Sequence, residues 1–377
     1  MMAVAACREA NGVMVRDATA ADNDALVALA AACPMAGDIE MCVDRAPDFF
    51  ALARLEGDRW RVGVSERDGV VSGCVTVSER WVHLNGKVTR TAYVGDLKVA
   101  PAHRGGPAAD ALVEYAREGC RAFGGGGVPV LTTVLAGNRS MERRASGPRG
   151  LPRLMPFATL KVHAIPFLFR RQEAIAGLCV DAAREEDLEE MAALWARVAP
   201  GRQWAPVMDA ESLRAWVRRA PGLAVHDYLV ARRADGRIAG FIGVWDQRRF
   251  KQLRVLGYSP RLAGARVVVN AVTRLAGTRA LPPAGNTLAT LATVTPCAPA
   301  DEPSVLRALL LRAYAMHRRS EHLFLTIALD RRDPLTVALV GLFAQPTLVG
   351  AYVTTPSGHY TGPALDGRPI HFESALV

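Results

Sequence analysis

The feature that most constrains this 377-residue chain is a repeat within itself. Val15-Arg16-Asp17-Ala18-Thr19-Ala20-Ala21-Asp22, continuing to Ala28-Leu29, aligns with Val180-Asp181-Ala182-Ala183-Arg184-Glu185-Glu186-Asp187, continuing to Ala193-Leu194, at an offset of 165. Asp68-Gly69 through Gly73 aligns with Asp235-Gly236 through Gly240 at an offset of 167. Two matches at nearly one spacing imply a duplicated unit, and the length accommodates two domains of about 150 residues or more. The expected fold class is α/β with mixed sheets. The expected division is a first domain over 1–165, a linker over 166–178 and a second domain over 179–377, each domain with its own twisted sheet and a central pair of strands splayed apart.

Within each copy the pattern reads strand, capped helix, then a strand pair. Val13 to Arg16 is a short strand, and Thr19 opens a helix whose apolar residues recur at helical spacing. Trp60 to Ser65 and Val70 to Val82 form a pair about the Asp68-Gly69 turn, as Tyr228 to Arg232 and Ile238 to Trp245 do about Asp235-Gly236. A second hairpin at Asn85-Gly86 leads into a strand over Thr91 to Val99. Pro107 to Phe123 has a helical period, Val128 to Val134 is the next strand and lies parallel to the one before the helix, and the glycines from Gly124 to Gly127 connect the two. Ala145 to Pro156 reads as a Gly/Pro/Arg-rich loop before a last strand, Thr159 to Ile165.

The segment from Ala92 to Leu112 carries the chemistry. A strand ends at Val99, a short turn Arg104-Gly105-Gly106 follows, and a helix starts at once, so backbone N–H groups and a helix dipole converge on one point. That is a cradle for an anion. The arrangement resembles the GNAT acetyltransferase superfamily, whose fingerprint is strand, Arg/Gln-x-x-Gly-x-Gly/Ala, helix. Here the six residues are Arg104-Gly105-Gly106-Pro107-Ala108-Ala109, matching at Arg104 and Ala109 and departing at Pro107, which supplies no N–H. After the second copy's strand, Leu288 to Val294, comes Thr295 to Pro303 with Asp301 and Glu302 where phosphates would sit, so this copy is a degenerate GNAT-like domain.

The resemblance implies a CoA-dependent N-acyltransferase, with acetyl-CoA or another acyl-CoA as cofactor and a small-molecule or peptide primary amine as acceptor, reacting by direct attack in a ternary complex. It implies that Leu97, Lys98, Val99, Arg104, Gly105, Gly106, Ala108, Ala109 and Asn138 bind the cofactor, backbone N–H groups at Leu97 to Val99 serving as oxyanion donors. Asp96 stands where several members keep an acid facing the amine, with Tyr93 beside it. A carboxylate there can attract a cationic amine and relay its proton; it can equally pair with Lys98 or an arginine. The tyrosine that usually protonates the leaving thiolate is missing, since none lies between Tyr115 and Tyr228, which leaves Ser140, Asn138, a water or no acid at all. In the region expected to overhang the acceptor, Glu40, Asp44 and Asp48 recur every four residues, as on a helical face that Pro47 would interrupt; they read either as a solvated face or as an acidic wall for a cationic amine, with Glu40 and Asp44 its candidates.

Other chemistries find little support. The 46 Lys and Arg against 37 Asp and Glu give a net charge of +9, yet the arginine pairs are scattered and no aromatic stripe accompanies them, so nucleic acid is not indicated. Seven cysteines without a Cys-x-x-Cys pair suggest neither a disulfide framework nor a metal site, and fit a reducing cytoplasm. His317 and His322 read as exposed or capping residues. The charge-free stretch from Pro334 to Gly358 is split by Gln345-Pro346 and reads as a buried helix then a buried strand, not a membrane span. Two function classes remain: the N-acyltransferase, and a non-catalytic relative that binds CoA, pantetheine or a protein partner through the same cleft.

Overall fold

The computed structural model describes residues 8–10, 12–145, 152–171 and 174–376. Residues 146–151 of the expected loop and residues 172–173 of the expected linker lie outside that description. In chain order the first half comprises β1 (Arg8–Ala10), β2 (Val13–Asp17), α1 (Asn23–Ala31), β3 (Ile39–Asp44), α2 (Phe50–Glu56), β4 (Arg59–Arg67), β5 (Val70–Leu84), β6 (Lys87–Val99), α3 (Ala108–Gly124), β7 (Val130–Leu135), α4 (Arg139–Ala145) and β8 (Met155–Pro166). The second comprises β9 (Cys179–Ala182), α5 (Leu188–Val198), β10 (Ala205–Pro206), α6 (Ala210–Arg219), β11 (Tyr228–Arg232), β12 (Ile238–Trp245), β13 (Gln252–Tyr258), α7 (Pro260–Leu275), β14 (Thr290–Cys297), α8 (Pro303–His317), β15 (Phe324–Asp330) and β16 (Gln345–Thr354).

Local chemistry explains the boundaries. Asp68 and Gly69 both adopt positive φ, as do Asn85 and Gly86, which is the backbone twist that two-residue hairpin turns require. The repeat preserves a buried cap: Asp22 accepts the Thr19 N–H at 2.7 Å and pairs with Arg16, while Asp187 accepts the Arg184 N–H at 2.8 Å and pairs with Arg232. Each aspartate so satisfies an orphan donor at its helix start.

The two halves do not keep separate sheets, contrary to the expectation from the repeat. One 14-stranded sheet runs β1-β2-β4-β5-β6-β7-β16-β8-β15-β14-β12-β11-β9, with β10 added on β5. About the β16/β8 junction the order is symmetrical, β7 matching β15, β6 matching β14 and β5 matching β12. Each half lends its last strand to the other: β16 pairs with β7, and β8, expected to close the first domain, pairs with β15 and β16. The exchange leaves neither half with an open edge at the centre. The expected linker is also tied down, since Phe167 is buried and the Leu168 and Phe169 N–H groups donate to the Tyr314 hydroxyl at 2.8 and 3.0 Å.

Two further differences concern the helices. Glu40 and Asp44 lie on strand β3, paired with β13 in a small second sheet, so the four-residue spacing reflects no helical face. From Pro334 a 3-10 helix runs only to Leu339, and β16 begins on Gln345-Pro346 with its first residues exposed.

The splay expected in each half is present. β6 and β7 run parallel and pair only over Ala92–Val94 with Val130–Thr132; β14 and β15 pair only over Thr290–Ala292 with Phe324–Thr326. Beyond those pairs the strands part. On one face of the first half, Leu112, Tyr115, Ala116 and Cys120 of α3 pack on Val75, Val77 and Ala92. On the other, Leu26, Phe49 and Phe50 cover Val64 and Cys74, and the alternation along β5 places Thr76, Ser78 and Arg80 on this second face.

Candidate functional site

The parting of β6 from β7 begins at a bulge. Thr76 pairs with Gly95 and Cys74 with Lys98, so Val75 alone opposes Asp96 and Leu97, and Asp96 takes a positive φ of 51°. Bulges of this kind re-aim a side chain and free backbone groups from the ladder. At the far end of β6, Arg104 is exposed and its Nε donates to the Val99 carbonyl at 3.3 Å. Gly105 adopts a φ of +83°, and nothing lies within 4 Å of where a Cβ would stand. Pro107 precedes the first turn of α3, its carbonyl accepting the Ala111 N–H at 3.0 Å. Among the described residues, the N–H groups of Gly105, Gly106, Ala108 and Ala109 have no intramolecular acceptor. Ala108 itself is buried against the α3 core.

Asp96 sits between two cations. Lys98 Nζ donates to one carboxylate oxygen and Arg45 Nη1 to the other at 3.0 Å. Burial alone would raise its pKa, but Lys98 and then Arg45 outweigh it and hold the carboxyl well below the usual range. The Tyr93 hydroxyl lies 3.0 Å from Thr133 Oγ1, and burial pushes its pKa up.

No motif in the sequence singles out Glu56, the last residue of α2. It is buried, its Oε2 has no hydrogen-bond partner, and it lines a small cavity of about 60 Å³ with Arg80, Tyr93, Trp204, His371 and Glu373. Burial, followed by the charge of Asp96, pushes its carboxyl up to about 8. Thr76 Oγ1 and Ser78 Oγ, on the same face, are also buried without partners. Native interiors leave few such atoms unsatisfied; Thr76 and Ser78 share one face of β5, while others, such as both ring nitrogens of His163, lie elsewhere. The second half completes the wall. Lys251 Nζ and Gln247 Nε2 donate to the Ala375 carbonyl at 3.1 and 2.7 Å, and burial, then Arg45, brings Lys251 down to about 7. His371 Nε2 lies 2.9 Å from Glu373 Oε1.

The remaining candidates are dispersed around this centre. Asn138 precedes α4, its Oδ1 accepting the Met141 N–H at 3.2 Å, and Ser140 is exposed on the same helix. Asp44 is bound to Arg254 at 2.6 Å, while Glu40 is exposed on β3. Arg45, immediately after Asp44, is what connects this strand to Asp96.

The second half repeats the geometry without the cradle. Thr295, with φ +48°, occupies the corresponding bulge, but its N–H donates to Glu373 at 2.9 Å. At the start of α8, Glu302 is paired with Arg233 at 2.5 Å. His322 is buried, not exposed as its sequence suggested, and meets Asp246 and Glu321. Arg248 lies among these three, already balancing the acids.

Residues 23–143 match the acetyltransferase (GNAT) family. No curated protein matches the chain in sequence. Saccharomyces cerevisiae N-myristoyltransferase with bound myristoyl-CoA superposes with a TM-score of 0.63 at 10% identity, over 96% of this chain and 88% of that one. The GCN5-related glucosamine N-acetyltransferase region of a fungal multi-domain GH3 beta-N-acetylglucosaminidase gives 0.60 at 12% identity, over 94% of this chain and 39% of that one. A probable N-acyltransferase of Enterococcus faecalis V583 gives 0.50 at 9% identity, over 92% and 73%. Residues 23–143 thus carry the match to the acetyltransferase (GNAT) family, and the duplicated, strand-exchanged architecture of the whole chain has the same fold as these N-acyltransferase structures.

Proposed function

We propose that this chain is an acyl-CoA-dependent N-acyltransferase that uses acetyl-CoA and acylates a primary amine, working from the splayed cleft of its first half. The observation that carries the reading is the pairing of two features along β6: an open cradle of free N–H groups at Gly105, Gly106, Ala108 and Ala109, and the buried, unpartnered carboxyl of Glu56 on the face beside Tyr93.

Arg104 and the cradle would hold the pyrophosphate, while Leu97, Lys98 and Val99 would face the pantetheine, with Asn138 at the opposite wall. Acyl-CoA supplies a thioester carbonyl carbon open to attack. The amine nitrogen bonds to that carbon, the C–S bond breaks, and the electron pair leaves with sulfur as a thiolate that needs no acid at neutral pH. N–H groups at the bulge, where Asp96 and Leu97 leave the ladder, are assigned to the oxyanion. Glu56 is assigned the amine's proton, because a base works best with a pKa near the working pH. Asp96, held ionised by Lys98 and Arg45, is assigned the shaping of the bulge and the local charge, and Ser140 a place at the rim. Glu40, exposed on β3, is assigned to the approach of the cationic amine.

A cavity of about 60 Å³ beside Tyr93 supports a short acyl group over a long one. The test is CoA release from acyl-CoAs of two to fourteen carbons with a panel of primary amines. The reading requires amine-dependent release with kcat/KM highest for acetyl; release fastest with the longest chain would overturn the acetyl assignment, and no release with any pair would overturn the activity.

A further inference from the structure

We propose that helix α7 docks this protein on the surface of an anionic lipid bilayer. From Gln247 to Ala300 the chain has eight basic residues and no aspartate or glutamate. α7 lies within that stretch and belongs to an insertion, β13 to α7, that replaces the tight Asn85-Gly86 hairpin of the first half.

The helix is anchored along one line. Leu262 and Val269 pack on the cluster of Val255, Leu281 and Leu288, and Asn270 Oδ1 accepts the Leu281 N–H at 2.9 Å. At about 100° per residue, the opposite line holds Gly264, Val267, Val268, Ala271 and Leu275. That outward stripe is apolar: Val267 is 77% exposed, Val268 66% and Leu275 90%, with Val272 at its flank. Side chains this apolar are scattered singly on ordinary surfaces; a contiguous stripe marks an interaction face.

The flanks identify the partner. Arg261 and Arg274 border the stripe on its two sides and Arg279 follows the helix, all exposed. Among the described residues none of the three has an ion-pair or side-chain hydrogen-bond partner. Of the acids near the start of the helix, Asp38 accepts from Ser259 at 3.0 Å and Asp44 pairs with Arg254 at 2.6 Å, while Glu40, opposite Gly257, is exposed on β3. An apolar stripe between free arginines fits a helix lying in the plane of a bilayer, aliphatic residues at the acyl boundary and guanidinium groups at anionic headgroups. Nucleic acid would meet the arginines but leave the valines and Leu275 in water, and no aromatic stacking residue accompanies them. β13 leads into this helix and pairs with β3, the strand that ends at Asp44 immediately before Arg45, so the docking face adjoins the proposed acceptor side.

The experiment is vesicle flotation of the full chain with phosphatidylcholine vesicles and with vesicles containing 30 mol% phosphatidylglycerol at 0.1 M salt. The chain should float with the anionic vesicles and not the neutral ones. Val268→Glu with Leu275→Glu, or Arg261→Gln with Arg274→Gln and Arg279→Gln, should each reduce binding at least tenfold while circular dichroism and melting temperature stay as in the parent. Leu275→Trp, which keeps the face apolar, should show an additional blue-shifted emission on anionic vesicles only. Three results would overturn the proposal: no flotation with anionic vesicles, flotation indifferent to these substitutions, or arginine-dependent binding to duplex DNA in a protein that vesicles leave behind. Concentration-dependent self-association abolished by Leu275→Glu, without vesicle binding, would assign the face to a second copy instead.

Discussion

Asp96 and Thr295 occupy matching bulges, with φ of 51° and 48°, at the points where the central strands of the two halves part. Their surroundings differ. Asp96 is met by the cations Lys98 and Arg45, close to an open cradle; the Thr295 N–H is covered by the Glu373 carboxylate, and the neighbouring helix start holds Glu302. The Thr295 N–H is thus taken up by the chain's own C-terminal segment, and no such carboxylate caps the bulge at Asp96 among the described residues.

The first expectation concerns the cradle. Arg104→Ala removes a charged contact of about 1.5 to 3 kcal/mol, so CoA affinity measured by calorimetry should fall roughly 10- to 150-fold, nearer the lower figure because Arg104 is exposed. Pro107→Gly restores an N–H and should tighten binding. Arg233→Ala, in the second half, should leave affinity unchanged.

Asp96→Asn tests the charge cluster. It leaves the buried Arg45 and the Lys98 ammonium without their carboxylate, a loss of about 3 to 5 kcal/mol. Denaturant unfolding should show that loss, with the Arg45→Met, Asp96→Asn double variant recovering part of it. Equal stability of Asp96→Asn and parent would show the pairing to be unimportant.

Glu56 and Lys251 set opposite pH trends. Glu56 titrates near 8 in the fold against about 4.5 in the unfolded chain, so the folded state binds the extra proton and stability falls as pH rises from about 4.5 to 8. Lys251 titrates near 7 against about 10.5, so the unfolded chain binds the extra proton and stability recovers between about 7 and 10.5. Melting temperatures of Glu56→Gln should therefore gain on the parent from pH 5 to 8, and those of Lys251→Met should exceed the parent most near pH 7 and converge with it towards pH 10.

Strand exchange makes the halves interdependent. Residues 1–165 alone retain β8 up to Ile165 but lack β15 and β16, its partners among the described residues, and leave β7 with an uncovered edge. This fragment should show no cooperative unfolding alone and should regain it when coexpressed with residues 166–377. Cooperative folding of 1–165 by itself would contradict the exchange.

How much of this was legible in the sequence follows from the range of the forces involved. Asp68-Gly69 and Asn85-Gly86 announce their hairpins because the required backbone twist is local, and the strand, Arg104-Gly105-Gly106, helix order announces the cradle for the same reason. The exchange of β8 and β16 has no local signature, since a strand reads the same whichever neighbour it pairs with. Glu56 looks like the end of a short apolar helix, and Lys251 like one more basic residue among arginines. Their burial is conferred by the C-terminal segment and the opposite half, far away in the chain. The four-residue spacing of Glu40, Asp44 and Asp48 misled because pairing with β13 overrode it.

The most direct measurement is the initial rate of acyl transfer with acetyl-CoA and an amine varied together, product identified by mass spectrometry, in the parent and Glu56→Gln. The account requires an acetylated amine, rate lines that intersect as a ternary complex demands, and a fall in kcat of roughly 10²- to 10⁴-fold in Glu56→Gln with little change in CoA affinity. Parallel rate lines, an acetylated protein intermediate, or full turnover by Glu56→Gln would contradict it.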